Sequence, residues 1–82
     1  MTSVKRSLSI KGHRTSVALE APFWRILDDV AARRAISLPA LVSEIDQSRL
    51  RREPAPGLAS ALRVFALEVA TREADRRGAQ SD

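Results

Sequence analysis

The sequence predicts a mainly α-helical domain led by one short N-terminal β-strand, and three observations predict it. Residues 14–19 alternate in polarity, with Thr15, Val17 and Leu19 on one face and Arg14, Ser16 and Ala18 on the other. Two amphipathic helical segments follow, each with a proline in its first turn and only a short connection between them. A third, more apolar helical segment stands beyond a stretch punctuated by Pro54, Pro56 and Gly57.

The strand sets the first problem. β-branched Thr15 and Val17 suit a pleated, half-buried surface. A lone strand leaves its backbone N–H and C=O groups unpaired, so it needs a partner. Lys11-Gly12 can form a tight turn that pairs residues 4–10, where Val4, Leu8 and Ile10 alternate weakly, with residues 13–19. Alternatively Gly12 is a joint and the preceding segment a loose arm. The expectation adopted is an arm ordered only in part, with the partner strand coming from a second copy. Such a ribbon is narrow enough to enter the DNA major groove.

The first helix opens at Glu20-Ala21-Pro22. Phe23, Ile26, Leu27, Val30 and Ala31 fall at helical spacing, while Arg25, Asp28, Asp29 and Arg33 occupy the opposite side. Trp24 borders the apolar stripe and reads as core or interface packing rather than a ligand pocket. After the connection at Ala35-Ile36, Ser37 is a good N-cap and Pro39 sits in the next first turn. Leu38, Leu41, Val42 and Ile45 face inward there, with Glu44, Gln47 and Arg49 facing water. The third segment carries Leu58, Ala61, Leu62, Phe65, Ala66, Val69 and Ala70. That is apolar over most of a helix circumference, so burial on two sides is expected.

Bulk composition narrows the function. Eighty-two residues make one domain at most, and so short a chain leans on disulfides, metal or oligomerisation. There is no cysteine and His13 is the only histidine, so oligomerisation remains, and neither metal nor cofactor is expected. The longest apolar run is far below the roughly 20 residues of a membrane span, and no signal-peptide core follows Lys5-Arg6. A cytoplasmic protein is expected. Net charge is +4, most of the fourteen basic side chains are arginine, and residues 1–19 hold Lys5, Arg6, Lys11 and Arg14 without one acid. A basic, acid-free end is an electrostatic footprint for nucleic acid. No nucleophile–base pair, metal-ligand cluster or phosphate-cradling glycine loop is visible, and no enzyme is expected. Asp28-Asp29, on an arginine-rich helix face, reads as surface ion pairing.

Strand, helix, short turn and Ser-capped helix over Arg14–Asp46 resemble, in that order, the ribbon-helix-helix (MetJ/Arc/CopG-type) DNA-binding family. The wording GHRTSVALE…FW and the later LASALRVF are similar to a bacterial subfamily with an added C-terminal helix. Two departures stand out. Ala35-Ile36 occupies the turn where the family often has Gly, and Glu20 follows the strand where it often has Pro, which is delayed to Pro22.

The resemblance implies an intertwined homodimer with an intermolecular two-stranded ribbon and a shared four-helix core, to which the C-terminal helices add. With the punctuation at Pro54, Pro56 and Gly57 and the polar end of the chain, the expected division is a basic arm (1–12, loose or part of an extended strand or hairpin), a ribbon-helix-helix domain (13–50), a linker (51–57), a C-terminal helix (58–74) and a frayed tail (75–82). Val17, Leu19, Trp24, Leu27, Leu41 and Ile45 are then the dimer core. Arg14, Ser16 and Ala18 are the expected base contacts, Arg14 on guanine and Ala18 limited to a thymine methyl. Lys5, Arg6, Lys11 and His13 are expected on phosphates, as are Ser37 and Leu38 at a helix N-terminus, where free N–H groups and the dipole favour an anion. Arg63, in the apolar third helix, is expected in an inter-subunit contact.

The function implied is sequence-specific binding of double-stranded DNA, as a nucleoid-associated transcriptional repressor. Two alternatives stay open. One is a ribbon-helix-helix antitoxin that regulates its own operon while its C-terminal part masks a cognate toxin. The other is a helical protein-interaction adaptor with no DNA role.

Overall fold

The computed structural model describes residues 2–80, and expectations for Met1, Ser81 and Asp82 lie outside the described residues. The elements are β1 (Ser3–Ile10), β2 (His13–Glu20), α1 (Ala21–Arg33), α2 (Leu38–Leu50) and α3 (Leu58–Gln80).

Lys11 and Gly12 both take positive φ, 52° and 80°. A two-residue type I′ hairpin turn demands that pair of conformations, and its twist matches that of the flanking strands. β1 and β2 therefore pair antiparallel within one chain, from Ile10↔His13 at the turn to Ser3↔Glu20 at the open end. This corrects two expectations. The ribbon's second strand is residues 3–10 of the same chain rather than a second copy, and the basic arm is ordered as β1. The reason is local: a two-residue loop closes at little entropic cost, so the nearest strand wins the pairing.

Arg6 is why the alternation of β1 looked weak. It occupies an inward position between Val4 and Leu8. Its guanidinium lies 4.7 Å from the Trp24 ring centroid and donates to both carboxylate oxygens of Asp28, at 3.0 and 3.1 Å. The stem thus covers apolar surface while the charge is met outside it. Trp24 Nε1 also donates to the Val4 carbonyl at 2.8 Å, tying the start of β1 to α1.

The inner face of the hairpin supplies Leu8, Ile10, Val17 and Leu19 to a core completed by Trp24, Leu27, Val30 and Ala31 of α1, Leu41, Val42 and Ile45 of α2, and Leu62 of α3. All six residues expected in a dimer core are thus buried within a single chain. β1 and α3 supply part of the apolar surface that surrounds them.

α1 ends in a Schellman motif. The Ile36 N–H bonds to the Ala31 carbonyl at 3.0 Å and the Ala35 N–H to Ala32 at 3.1 Å, with Ala35 at φ 56°. Ser37 caps α2, its hydroxyl accepting from the Ala40 N–H at 3.1 Å. Arg49, expected to face water, instead pairs with Asp46 at 2.7 Å and donates to the Pro56 carbonyl at 3.1 Å, bracing the chain that leads into α3.

α3 differs from expectation in two ways. It continues through the segment read as a frayed tail, because Ala74, Arg76 and Arg77 are good helix formers and one glycine, Gly78, is tolerated. It is buried on one side only. Leu62 and Ala66 are fully enclosed, while Val64 and Leu67 remain 46% and 61% exposed. Arg63, expected between subunits, is bound within the chain to Glu20 at 2.9 Å.

Candidate nucleic-acid interface

With the apolar positions of both strands turned to the helices, the alternate positions form an outer face. β2 gives it Arg14, Ser16 and Ala18, all exposed. β1 gives it Lys5, Ser7 and Ser9, also exposed. The register sets Ser9 opposite Arg14, Ser7 opposite Ser16 and Lys5 opposite Ala18. Directly opposed residues in an antiparallel pair sit about 5 Å apart, so these side chains form three rungs of one surface.

Its electrostatics are one-sided. Arg6, Arg33, Arg34, Arg49 and Arg63 are each held by an Asp or Glu. Among the described residues no carboxylate pairs with Lys5, Lys11 or Arg14. The hairpin's acid, Glu20, ends β2, and the Arg63 guanidinium, bonded to it, holds its carboxyl below the ordinary range. Ser3 also donates to Glu20, at 3.4 Å. The positive charge of the ribbon's outer face and turn is therefore unpaired among the described residues, while Arg6 on its inner side and Arg33, Arg34, Arg49 and Arg63 are met by acids.

The other expected site residues separate into groups. Lys11 lies in the turn and His13 in the closing pair beside it, both exposed. Lys5 stands on the outer face itself. Arg6 lies on the inner side, with both terminal nitrogens bonded to Asp28. Asp28 and Asp29 are surface ion-pair partners, of Arg6 and Arg33. At the start of α2, the Ala40 N–H is taken by the Ser37 hydroxyl and the Leu41 N–H by the Ser37 carbonyl, at 3.1 Å each. Pro39 has no N–H. Leu38 keeps the amide of that turn for an outside acceptor, so an anion there meets one donor and the helix dipole.

Sequence reasoning missed Ser7 and Ser9. The signal was present: residues 3–10 alternate throughout once Arg6 is allowed an inward position, and Lys11-Gly12 is good type I′ chemistry.

A polar, basic two-stranded ribbon in front of a helix pair defines a small regulatory DNA-binding class of protein. The chain belongs to the ribbon-helix-helix family, whose domain profile matches residues 3–70. Among solved structures, it is similar to an uncharacterized protein from Bordetella pertussis Tohama I, with 32% identity and a TM-score of 0.76. That match covers 93% of this chain and 62% of the other, so the chain spans under two thirds of its neighbour's length. No curated protein matches the sequence. No helix among the described residues is long and apolar enough to cross a membrane.

Proposed function

We propose that this protein binds double-stranded DNA sequence-specifically through its hairpin, and that it represses transcription by occluding promoter DNA as a nucleoid-associated regulator. The observation that carries the reading is the outer face of the ribbon, where among the described residues no carboxylate pairs with exposed Arg14 and the other outward residues of the three rungs are basic, small or hydroxylic. Arginine suits the O6 and N7 edge of guanine because its planar fork donates twice. Ser16 reads an adjacent edge, and Ala18 contacts a thymine methyl. Lys11, His13 and the Ser37–Leu38 turn hold phosphates, which position the ribbon without reading sequence. Ribbon-helix-helix proteins typically act as dimers. A homodimer sets one hairpin on each half of an inverted repeat.

The test is selection of binding sites from a random duplex pool at near-physiological salt, with the Arg14→Ala protein in parallel. The wild type is expected to recover a short motif. The variant loses roughly 1–3 kcal/mol and its preference at one base position. Equal loss on all sequences removes Arg14 as a base reader. Recovery of no motif by the wild type removes the DNA reading altogether.

One observation favours a protein partner as a second reading. An open groove between α2 and α3 is lined by apolar Leu41, Ile45, Pro56, Ala61, Val64 and Phe65 together with polar and charged Glu44, Ser48, Arg49, Arg52, Ser60 and Glu68. An antitoxin or adaptor can use such a groove, although α3 is already folded and needs no partner to order it. Co-purification of a second small protein that shields Val64 from labelling supports that reading over the repressor.

A further inference from the structure

We infer that β1 is half of the reading surface: Lys5, Ser7 and Ser9 contact bases beside Arg14, Ser16 and Ala18, so one chain carries a complete two-stranded reader. This rests on the DNA reading proposed above and goes beyond it, because there the base contacts come from β2 alone.

Three observations point the same way. The register places each β1 residue directly across from a β2 residue on the same exposed face, Lys5↔Ala18, Ser7↔Ser16 and Ser9↔Arg14. A groove that receives one strand's outer side chains therefore receives the other's. Second, the composition of that face changes sharply with parity. Outward positions of β1 are Ser3, Lys5, Ser7 and Ser9, whereas inward ones include Leu8 and Ile10, which are buried. Ser7 and Ser9, unlike Ser3 with its bond to Glu20, have no side-chain partner among the described residues, and such short side chains add little packing to a strand. A short hydroxyl that both donates and accepts is suited to close approach to base edges. Third, β1 is held where a reader must be held. The Trp24 bond to the Val4 carbonyl and the Arg6–Asp28 pair fix its inner side to α1 and leave its outer side unobstructed.

The dimensions agree. Residues 5 to 9 span four steps of about 3.4 Å, or about 14 Å, which matches roughly four base-pair steps. Arg14 with Ser9 lies at the turn end and Lys5 with Ala18 at the open end. The face is thus asymmetric, with a guanine-reading fork at one end and a point charge beside a methyl at the other. Each half-site is read by one chain, in a defined orientation.

The experiment uses the full chain and the motif selected by the wild type. Ser7→Ala, Ser9→Ala and Lys5→Gln are compared with the wild type and with Ser3→Ala, which lies beyond the three rungs, on that motif and on its single-base variants. Circular dichroism shows that each variant keeps the fold. The expected result is a loss of about three- to tenfold on the selected motif for each of the three, a flattened preference at a base position distinct from the one Arg14→Ala flattens, and no change for Ser3→Ala. One chain binds per half-site in a stoichiometric titration. If all three variants keep the wild-type motif and affinity while Arg14→Ala loses them, β1 is only a scaffold and the inference is overturned with the DNA reading intact. A uniform loss on every sequence overturns it too, assigning the three to non-specific affinity. If the wild type selects no motif, both fall together.

Discussion

Arg6 and Lys11 show how the same charge takes different work according to its neighbours. Both belong to the acid-free N-terminal stretch and both looked suited to phosphates. Arg6 gives one N–H from each terminal nitrogen to Asp28, at 3.0 and 3.1 Å, and stacks on Trp24. Lys11 lies exposed in the hairpin turn, and among the described residues no carboxylate pairs with it. Each phosphate neutralised adds about 0.9 to the slope of log affinity against log salt. Lys11→Gln is therefore expected to flatten that slope by about 1 on any duplex. Arg6→Gln is expected to leave the slope unchanged and instead to lower folding stability by about 1 kcal/mol, through the weakened pair and lost stacking. Fluorescence anisotropy across a salt series, with a urea titration of the free protein, separates the two. A flattened slope in Arg6→Gln would mean that the Asp28 pair opens on DNA.

At the scale of elements, the link between α1 and α2 shows what the sequence could and could not say. Ser37 as N-cap and the two-helix periodicity were legible, because caps and apolar stripes are local chemistry. That Ala35 stands in a left-handed conformation was hinted at only by the family's Gly in that turn. The cost is specific: φ 56° crowds the Cβ of any residue but glycine, by about 1–2 kcal/mol. Ala35→Gly relieves it, offset in part by the greater freedom of an unfolded glycine. A net gain of about 1 kcal/mol is expected, or some 4–8 °C in Tm for a domain of this size. An unchanged or lower melting temperature would show that the Schellman geometry does not strain this residue. The hairpin was half legible. Lys11-Gly12 has turn chemistry and β2 alternates cleanly, but Arg6 at an inward position hid the pattern of β1. No local rule says that an arginine will lie over a tryptophan eighteen residues on. The exposed side of α3 was hidden for a similar reason, since apolarity around a helix gives no count of the surfaces that will cover it.

At the scale of the whole molecule, Glu20 joins three parts of the chain. It ends β2, precedes α1, accepts from Ser3 of β1, and holds Arg63 of α3 at 2.9 Å, with that guanidinium 6.0 Å from the Phe23 ring. Its position explains why α1 has no side-chain cap: the carboxylate that could have served is turned to α3. The Arg63 bond, first among the causes, depresses the folded carboxyl below its ordinary value. In the unfolded chain that partner is gone and the group titrates normally. Above the ordinary glutamate range both states are ionised, and the stabilisation from the pair is fully present. As pH falls through that range the unfolded state takes up its proton first, so stability is lost until the folded group is protonated as well. Glu20→Gln keeps an acceptor for Arg63 but removes this linkage. Urea midpoints of wild type and variant are therefore expected to differ by a constant amount from pH 7 down to about pH 5, and to converge between about pH 5 and pH 3. A difference that stays constant down to pH 3 would mean that the hydrogen bond, and not the charge, fastens α3 to the end of the hairpin.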